Sequence, residues 1–246
     1  MEQSVVIYNQ GRKIFGNFYL PYEGAPCIVM SHGFESSKDG DKWLVLSPRF
    51  YDAGFASLRF SYSGCGEGEG KSEGEFEDTT LTGRVSDYRA VVDFLHQTRI
   101  EATRLGVIGS SFGGMVALAA RDDRIKTMVT LATPYSFPLP TQEELRHIRE
   151  KGYFELESGR RLGIDFYDDL CQYNILDDVE KIHCPLFIIH GSLDEVVPVE
   201  HAYKLYSHAN KPKRLEVMEG ANHSFGKPEN LEKVVSLSLE WFKTYL

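Results

Sequence analysis

The sequence predicts an α/β fold in which a mostly parallel, twisted sheet is covered by helices on both faces. Short apolar runs such as PCIVMSH, RLGVIGS and CPLFIIHG are typical of buried parallel strands. Segments with apolar residues at helical spacing, such as DKWLVLSPRFYDAG and GRVSDYRAVVDFLHQTR, alternate with them. Such alternation indicates crossover connections between parallel strands. With 246 residues, the chain is long enough to form this fold as one domain that carries a pocket.

The elements of the first half follow one another in a regular order. SVVIY and KIFGNFYL flank the turn NQGR and predict a β-hairpin at an antiparallel edge. PCIVMSH is a strand, and DKWLVLSPRFYDAG is a helix with Gly54 as its C-cap. FASLRFSY is a strand, GRVSDYRAVVDFLHQTR a helix and RLGVIGS a strand. FGGMVALAARDD predicts a helix of small residues, and IKTMVTLATP predicts the next strand.

The alternation breaks from Tyr135 to about Asp178 and then resumes. SFPLPTQEELRHIREK predicts a short helix after a proline-rich turn, and YFELESGRRLGIDF predicts a hairpin around Ser158-Gly159. CPLFIIHG, VEHAYKLYSHA, KRLEVMEG and KPENLEKVVSLSLEWFKTYL then predict strand, helix, strand and helix. We therefore expect a single domain over residues 1–246, with a small cap inserted at about 135–178.

Composition and charge exclude several kinds of partner. The formal net charge of −9 and the lack of a Lys/Arg cluster argue against nucleic acid. The N-terminal MEQSVVIYNQGRKIF does not resemble a signal peptide, and no uninterrupted apolar stretch is long enough to span a membrane, so we expect a cytoplasmic protein. The cysteines are scattered, which favours reduced structural thiols over a metal site.

The strongest chemical signal is GSSFGG, which contains GxSxG between a predicted strand and a predicted small-residue helix. A serine at such a sharp turn has strained backbone angles and projects its hydroxyl out of the sheet. Ser111 is the candidate nucleophile, because it has glycine two residues before and two residues after it, whereas Ser110 does not. The alternative is a glycine-rich turn with an incidental serine.

A serine nucleophile needs an imidazole base and a carboxylate that orients the base. Asp194 follows the predicted strand CPLFIIHG, and His223 follows the predicted strand KRLEVM. The chain order Ser, Asp, His is the one expected after a nucleophile turn of this kind. Taken alone, Asp194 could be a turn cap and His223 a solvated loop residue. Two other histidines, His32 and His190, precede glycine at strand ends, where we expect them to brace loops.

Acyl transfer also needs two N–H donors for the developing oxyanion. The amide of Phe112, directly after the nucleophile, and that of Phe34, in the loop HGFESSKDG, are the candidates. The alternative for the Phe34 side chain is simple core packing. The glycine-rich loop SGCGEGEGKSEG lacks the GxGxxG spacing and carries acidic residues, so it predicts a flexible surface loop rather than a phosphate site.

The segment between the two halves is rich in aromatic residues. These side chains would line a substrate entrance or anchor the insertion to the core, and the sequence favours neither. We predict substrate contacts for Phe34, Tyr135 and Phe166. The aromatic residues of the insertion are Tyr135, Phe137, Tyr153, Phe154, Phe166 and Tyr167.

GSSFGG, HGF, HGSLDEVVP and GANHSF, in this order, resemble the motifs of the α/β-hydrolase superfamily. Within it, the chain is similar to small prokaryotic carboxylesterases of the feruloyl or cinnamoyl esterase and monoacylglycerol lipase type, and to serine aminopeptidase-like hydrolases. The resemblance implies an α/β-hydrolase fold, a triad of Ser111, Asp194 and His223, and oxyanion donors at Phe34 and Phe112. Ser110 stands where many relatives have histidine.

The function expected from these residues is hydrolysis of carboxylic esters through an acyl-enzyme. A peptidase, thioesterase or acyltransferase would use the same triad, and a ligand-binding protein that keeps the fold without catalysis is a further alternative. The expected partner is a small-molecule ester or other acyl substrate, without nucleic acid or a membrane span; a homodimer stays open. Neither a cofactor nor a metal is needed for this chemistry.

Overall fold

A computed structural model describes residues 2–98 and 100–246 of the chain. The strands are β1 Glu2–Asn9, β2 Arg12–Tyr19, β3 Cys27–Ser31, β4 Ala56–Phe60, β5 Leu105–Ser110, β6 Ile125–Leu131, β7 Tyr153–Glu155, β8 Arg161–Gly163, β9 Leu186–Gly191 and β10 Lys213–Met218. The α-helices are α1 Asp41–Asp52, α2 Leu81–Leu95, α3 Phe112–Ala120, α4 Gln142–Lys151, α5 Asp165–Leu170, α6 Ile175–Glu180, α7 Glu200–His208 and α8 Pro228–Tyr245.

Eight strands form one sheet in the order β1-β2-β4-β3-β5-β6-β9-β10. β1 pairs antiparallel with β2, and β2 pairs antiparallel with β4. The remaining neighbours from β4 to β10 are all parallel. The expected hairpin at an antiparallel edge and the mostly parallel sheet are both confirmed. Consequently, the carboxyl ends of β3, β5, β6, β9 and β10 meet at one edge of the sheet.

Helices cover both faces of the sheet, as predicted. Alternate residues of a strand point to opposite faces, so β3 contributes Val29 to one hydrophobic core and Ile28 to the other. The first core also contains apolar side chains of α2, α3, α6 and α7. The second contains those of α1 and α8, where Trp43, Phe50 and Phe242 are almost fully buried. The two cores hold the central strands rigidly between them.

The chain between β6 and β9 carries α4, the β7–β8 hairpin, α5 and α6. α4 begins with a capping box, in which Thr141 and Glu144 exchange side-chain and backbone hydrogen bonds. The predicted short helix and the hairpin around Ser158-Gly159 are present. α5 and α6 were not predicted. α6 contacts α3 and α7, so it belongs to the helical layer on the sheet.

The glycine-rich loop after β4 lies at the surface, where its residues Glu67, Glu69 and Glu73 are exposed, and it is hydrogen-bonded to β2. The backbone N–H of Phe15 donates to the Ser72 hydroxyl, which is buried, and the N–H of Glu73 donates to the Lys13 carbonyl. The first residues of β2 do not pair with β4, and the loop supplies hydrogen-bond partners for their backbone groups instead.

The four cysteines of the sequence carry free thiols in the structure, and they differ in exposure. Cys27 and Cys65 are buried, Cys184 is half-buried and Cys171 is exposed. As for membranes, the described part of the chain has no helix with the length and apolar character needed to cross a bilayer.

Candidate active site

Ser111 lies at the turn between β5 and α3, at the carboxyl edge of the sheet. Its backbone has φ +53° and ψ −125°, a conformation that costs free energy in a residue other than glycine. Its N–H donates to the Leu131 carbonyl at the end of β6 over 2.8 Å. The turn predicted from GSSFGG is therefore strained and held by the neighbouring strand, and its serine hydroxyl lies at the edge where the strand ends meet.

The glycines of this turn allow backbone segments to approach closely. A Cβ atom on Gly113 would lie 2.2 Å from the Ser31 carbonyl oxygen at the end of β3, and one on Gly109 would lie 2.6 Å from the Gly114 Cα. No side chain fits at either distance. The first turn of α3 can thus pack directly on β3 and β5, which positions Ser111 at the edge of the sheet.

His223 and Asp194 are brought together by the loops after β10 and β9. The Nδ1 atom of His223 lies 2.9 Å and 3.0 Å from the two carboxylate oxygens of Asp194. The side chain of Asp194 is fully buried, whereas that of His223 is 19% exposed. Because the Asp194 carboxylate accepts a hydrogen bond from the Nδ1–H group, the proton of the neutral imidazole stays on Nδ1 and the Nε2 atom of His223 can act as a base.

Asp194 is held as a carboxylate by several donors. Its Oδ1 atom accepts the backbone N–H groups of Val196 (2.9 Å) and Val197 (2.8 Å), and His190 Nε2 lies 3.2 Å from Oδ2. Burial raises the pKa of Asp194, but the hydrogen bonds from His190, His223 and Val197 outweigh burial and keep this pKa well below its usual value. Asp194 is therefore charged at neutral pH.

A cavity of about 1020 Å³ opens at this edge of the sheet and is bordered by Ser111, His223 and Phe34. Its volume is at the upper end of the range common for small-molecule sites. In residues 2–98 and 100–246, no hydrogen bond joins the Ser111 hydroxyl to His223. Such bonds are often loose without substrate and tighten in the complex. Ser111 and the His223–Asp194 pair thus face one cavity.

Two backbone N–H groups near Ser111 have no acceptor. Within the described ranges, the amides of Phe34 and Phe112 donate to no protein group. Phe34 follows Gly33, whose own Cα approaches Ser111: a Cβ on Gly33 would lie 3.9 Å from the Ser111 Oγ. Phe112 directly follows Ser111 in the chain, so among the described residues these two amides are available as donors to an oxyanion formed at Ser111.

Arg84 and His32 hold the loop that carries Phe34 through hydrogen bonds to its backbone carbonyls. Arg84, on α2, is 2% exposed and donates to the carbonyls of Gly33 (3.1 Å) and Phe34 (2.7 Å). His32 Nδ1 lies 2.7 Å from the Gly33 carbonyl, and its Nε2 accepts the Tyr62 N–H. Burial and the charge of Arg84 lower the pKa of His32 to about 3. His32 is a neutral brace, consistent with the expectation for it.

Phe34, Phe112, Phe137 and Phe166 form one aromatic cluster, with ring centroids 5.1–6.0 Å apart. Phe34 and Phe137 border the cavity, whereas Phe166 is 2% exposed and lies behind them. Of the three side chains predicted to touch substrate, Phe34 therefore borders the cavity and Phe166 does not.

Tyr135, the third, also does not border the cavity. It is half-buried, its ring lies 4.5 Å from that of His201, and its N–H donates to His201 Nδ1. Its neighbours Pro134, Ser136 and Phe137 border the cavity in its place. In this proline-rich segment, apolar and polar residues follow neither the helical nor the strand period, so the sequence does not show which side chains face inward.

Lys42 borders the cavity and was missed by the sequence reasoning. It lies on the first turn of α1, and its Nζ atom donates to the Ser110 hydroxyl over 2.8 Å. The signal was its spacing: Lys42, Leu46 and Phe50 are four residues apart and share one helix face, and the last two are buried. A lysine on the same helix face as these two buried side chains is expected to point toward the interior.

In the part of the chain that the structure describes, no three His, Cys, Asp or Glu side chains are grouped closely enough to hold a metal ion.

The fold and the strand-end residues define the chain as an α/β hydrolase. The sequence from residue 46 to residue 246 matches the model of the prolyl oligopeptidase family, Peptidase_S9. Since the match covers most of the chain, the protein belongs to this family. The sequence-based recognition of an α/β hydrolase and its fold are confirmed.

Similar proteins include esterases and a thioesterase. The putative esterase YitV of Bacillus subtilis is 26% identical over 92% of this chain and 91% of its own length. The palmitoyl-protein thioesterase ABHD10 of Mus musculus is 24% identical over 73% of this chain and 62% of its own. The structure of Est1E from Butyrivibrio proteoclasticus with ferulic acid bound superposes with a TM-score of 0.87, at 24% identity and 98% coverage of both chains; it supports the fold.

Proposed function

We propose that the protein is a serine hydrolase that cleaves carboxylic esters through an acyl-enzyme on Ser111. The observation that carries this proposal is that the strained Ser111 and His223, which is paired with Asp194, border one cavity. Among the described residues, the amides of Phe34 and Phe112 beside Ser111 in the fold have no protein acceptor. Each group supplies one requirement of acyl transfer, namely a nucleophile, an oriented base and oxyanion donors.

In the first half of the reaction, His223 Nε2 removes the proton of the Ser111 hydroxyl as Oγ attacks the carbonyl carbon. The carbonyl oxygen becomes negative and accepts the N–H groups of Phe34 and Phe112. Asp194 stabilises the imidazolium that forms. His223 then gives its proton to the alcohol oxygen, the bond from carbon to that oxygen breaks, and the acyl group stays on Ser111.

In the second half, water replaces the alcohol. His223 Nε2 removes a proton from the water, whose oxygen attacks the acyl carbon, and the same two amides hold the oxyanion. The bond to Ser111 Oγ breaks, Oγ recovers its proton from His223, and the carboxylic acid leaves. The charge of Asp194 is present throughout, because its donors keep its pKa low.

The inserted segment at about 135–178 serves as a cap on the cavity in this proposal. Its Phe137 and Pro138 form an apolar wall with Phe34, and Phe166 supports this wall from behind. Such a wall suits an apolar or aromatic acyl group, because burial of apolar surface favours its binding. The relatives named as esterases support the same chemistry.

Substitution of Ser111 by alanine tests the proposal. We expect Ser111→Ala to abolish turnover of a short-chain p-nitrophenyl ester and labelling by a fluorophosphonate, because both need the Oγ nucleophile. Peptide mapping of the labelled wild type should place the phosphonate on Ser111. Ser110→Ala is the matched control and should still be labelled at Ser111. Undiminished ester turnover by Ser111→Ala would refute the proposal.

A thioesterase is the second candidate, favoured by the similarity to palmitoyl-protein thioesterase ABHD10. The same residues would act, with a thiolate in place of the alcohol as leaving group. Matched pairs of oxygen and sulfur esters of one acyl group, compared by kcat/KM, distinguish the two. A preference of at least about tenfold for the sulfur ester would make the thioesterase the better assignment.

A further inference from the structure

Lys42 is a cation beside the nucleophile that the mechanism above does not use. Its Nζ atom lies 2.8 Å from the hydroxyl of Ser110, the residue before Ser111, and the side chain borders the cavity. Consecutive Cα atoms are ~3.8 Å apart, so the ammonium group is within reach of a substrate bound at Ser111.

In the described part of the chain, this ammonium group has no carboxylate within ion-pair distance. Over residues 2–98 and 100–246, no Asp or Glu oxygen lies within the 4.0 Å of an ion pair with Lys42, although Glu35 and Asp41 also border the cavity. Burial lowers its pKa to about 8, and the charge of Asp194 opposes this shift. Within the described residues, the charged form of this half-buried side chain therefore lacks the close counterion that usually accompanies a desolvated cation.

Two other buried cations, Arg59 and Lys38, do have such partners, whereas Arg84 donates to backbone carbonyls instead. Arg59 forms ion pairs with Glu2 and with Asp39 (2.5 Å), and Lys38 forms one with Asp39 (2.7 Å). Among the described residues, the neutral Ser110 hydroxyl is the hydrogen-bond acceptor of Lys42. An ammonium group that faces a cavity and has no acid within ion-pair range among the described residues is suited to bind an anion that enters with the substrate.

The position of Lys42 indicates which part of the substrate carries that anion. Its Nζ atom lies 5.7 Å from the centre of the Phe225 ring, and Phe225 comes two residues after His223. His223 protonates the leaving group, so the leaving group lies on this side of Ser111. The opposite wall, with Phe34 and Phe137, is apolar and suits the acyl group.

We infer that Lys42 binds a carboxylate on the leaving-group part of the substrate, so that the preferred substrates are esters of hydroxy acids, aliphatic or phenolic. The inference rests on the proposed ester hydrolysis. In the bound state, the ammonium group donates to both the Ser110 hydroxyl and the substrate carboxylate, and this contact orients the ester carbonyl toward Ser111.

Two acetyl esters with the same ring test the inference. 3-Acetoxybenzoate carries a carboxylate on its leaving group, and methyl 3-acetoxybenzoate does not. The measured quantity is the ratio of kcat/KM for the charged ester to that for the neutral one. We expect Lys42→Met to lower this ratio about ten- to hundredfold, because a charge-assisted hydrogen bond is lost. Lys42→Arg should keep the ratio within about threefold of the wild type.

Lys227→Met is the matched control, because Lys227 is exposed, follows the cavity residue Gly226 and does not border the cavity. It removes the same charge and should leave the ratio within about twofold of the wild type. A purely structural role of Lys42 would lower kcat/KM for both esters in proportion. A ratio that Lys42→Met does not change would therefore overturn the inference.

A binding measurement separates this inference from the proposed function. Calorimetric titration of Ser111→Ala with 3-hydroxybenzoate, the charged product, should give a Kd that Lys42→Met in the same background weakens about tenfold or more. If the wild type hydrolyses neither ester but this dependence on Lys42 appears, ester hydrolysis fails and the anion site stands. If the product binds equally with and without Lys42, the anion site fails.

Discussion

At the scale of single residues, hydrogen-bond donors around Asp194 offset the free energy that is lost when its carboxylate is removed from water. Two backbone N–H groups of its own loop and two imidazoles surround the carboxylate. The Nε2 atom of His190 also lies 2.8 Å from the Val197 carbonyl oxygen, so this one nitrogen contacts both the loop backbone and the Asp194 carboxylate. The orientation of His223 thus depends on a prearranged loop after β9, because a buried carboxylate without these donors would be protonated.

We predict that Asp194→Asn lowers kcat for a p-nitrophenyl ester by roughly 10³- to 10⁴-fold, because the amide can present its N–H₂ group to His223 and stabilise the wrong tautomer. Steady-state kinetics with the purified variants at neutral pH measure this effect. A fall of less than about tenfold would contradict a role in orienting the base. Asp52→Asn, at an exposed site on α1, is the control.

The same carboxylate predicts a dependence of stability on pH. Its pKa is lower in the folded protein than in the unfolded chain, so its ionised form stabilises the fold at neutral pH. This contribution is lost as the pH falls below about 4, the ordinary pKa of Asp, by up to ~1.4 kcal/mol per pH unit. Urea unfolding should therefore show that the difference in free energy of unfolding between the wild type and Asp194→Asn becomes smaller as the pH falls. A difference that does not change with pH would contradict a stabilising role of the ionised carboxylate.

The residues of the site differ in how readily the sequence reveals them. Ser111, Asp194 and His223 could be identified because each follows an apolar run at a strand end, where parallel sheets assemble their sites. Arg84 and Lys42 lie on helices, and their roles depend on which face packs inward. Helical spacing places both on largely buried faces, but only the fold shows that these faces end beneath Phe34 and beside Ser110.

At the scale of elements, the turn from β5 into α3 depends on close backbone contact. The Ser31 hydroxyl at the end of β3 donates to the Gly113 carbonyl over 2.8 Å and lies 2.6 Å from the Tyr62 hydroxyl. β3, β5 and the start of α3 are therefore joined at one point. Any atom added there displaces α3 and, with it, the strained Ser111.

We predict that Gly113→Ala destabilises the protein by about 3 kcal/mol and removes most ester turnover. The new Cβ would lie 2.2 Å from a backbone oxygen, so the helix must shift rather than a flexible side chain. Urea unfolding and ester kinetics measure the two effects. Gly70→Ala is the control, because its Cβ would meet only the Lys38 side chain at 3.4 Å. Equal stability of the two variants would contradict the account.

The strongly periodic elements were predictable, and the short ones were not. α8 has 18 residues with a clear apolar face, and the sheet strands are short apolar runs bounded by turns. α5 and α6 have six residues each, too few to form helices on their own. They depend on contacts with α2 and α3, which no local pattern encodes.

At the scale of the whole molecule, the chain between β6 and α6 contacts the rest of the protein through an aromatic and a polar set of interactions. One is the aromatic cluster, in which Phe137 and Phe166 pack against Phe34 and Phe112. The other is polar: Asp169, on α5, accepts both the backbone N–H (2.9 Å) and the hydroxyl (2.5 Å) of Thr82 at the start of α2. An N-terminal donor of α2 is thus satisfied from another part of the chain.

We predict that Asp169→Ala loosens the inserted segment while the sheet stays intact. The change leaves a Thr82 donor unpaired and should cost about 1–3 kcal/mol. Because α5 and the β7–β8 hairpin are short, this loss should appear as faster deuterium uptake in residues 142–170, with no change in β5. The neighbouring Asp168→Ala removes only an exposed ion pair with Arg149 and should leave uptake unchanged. Faster uptake across the sheet as well would show that the segment and the sheet domain unfold as one unit.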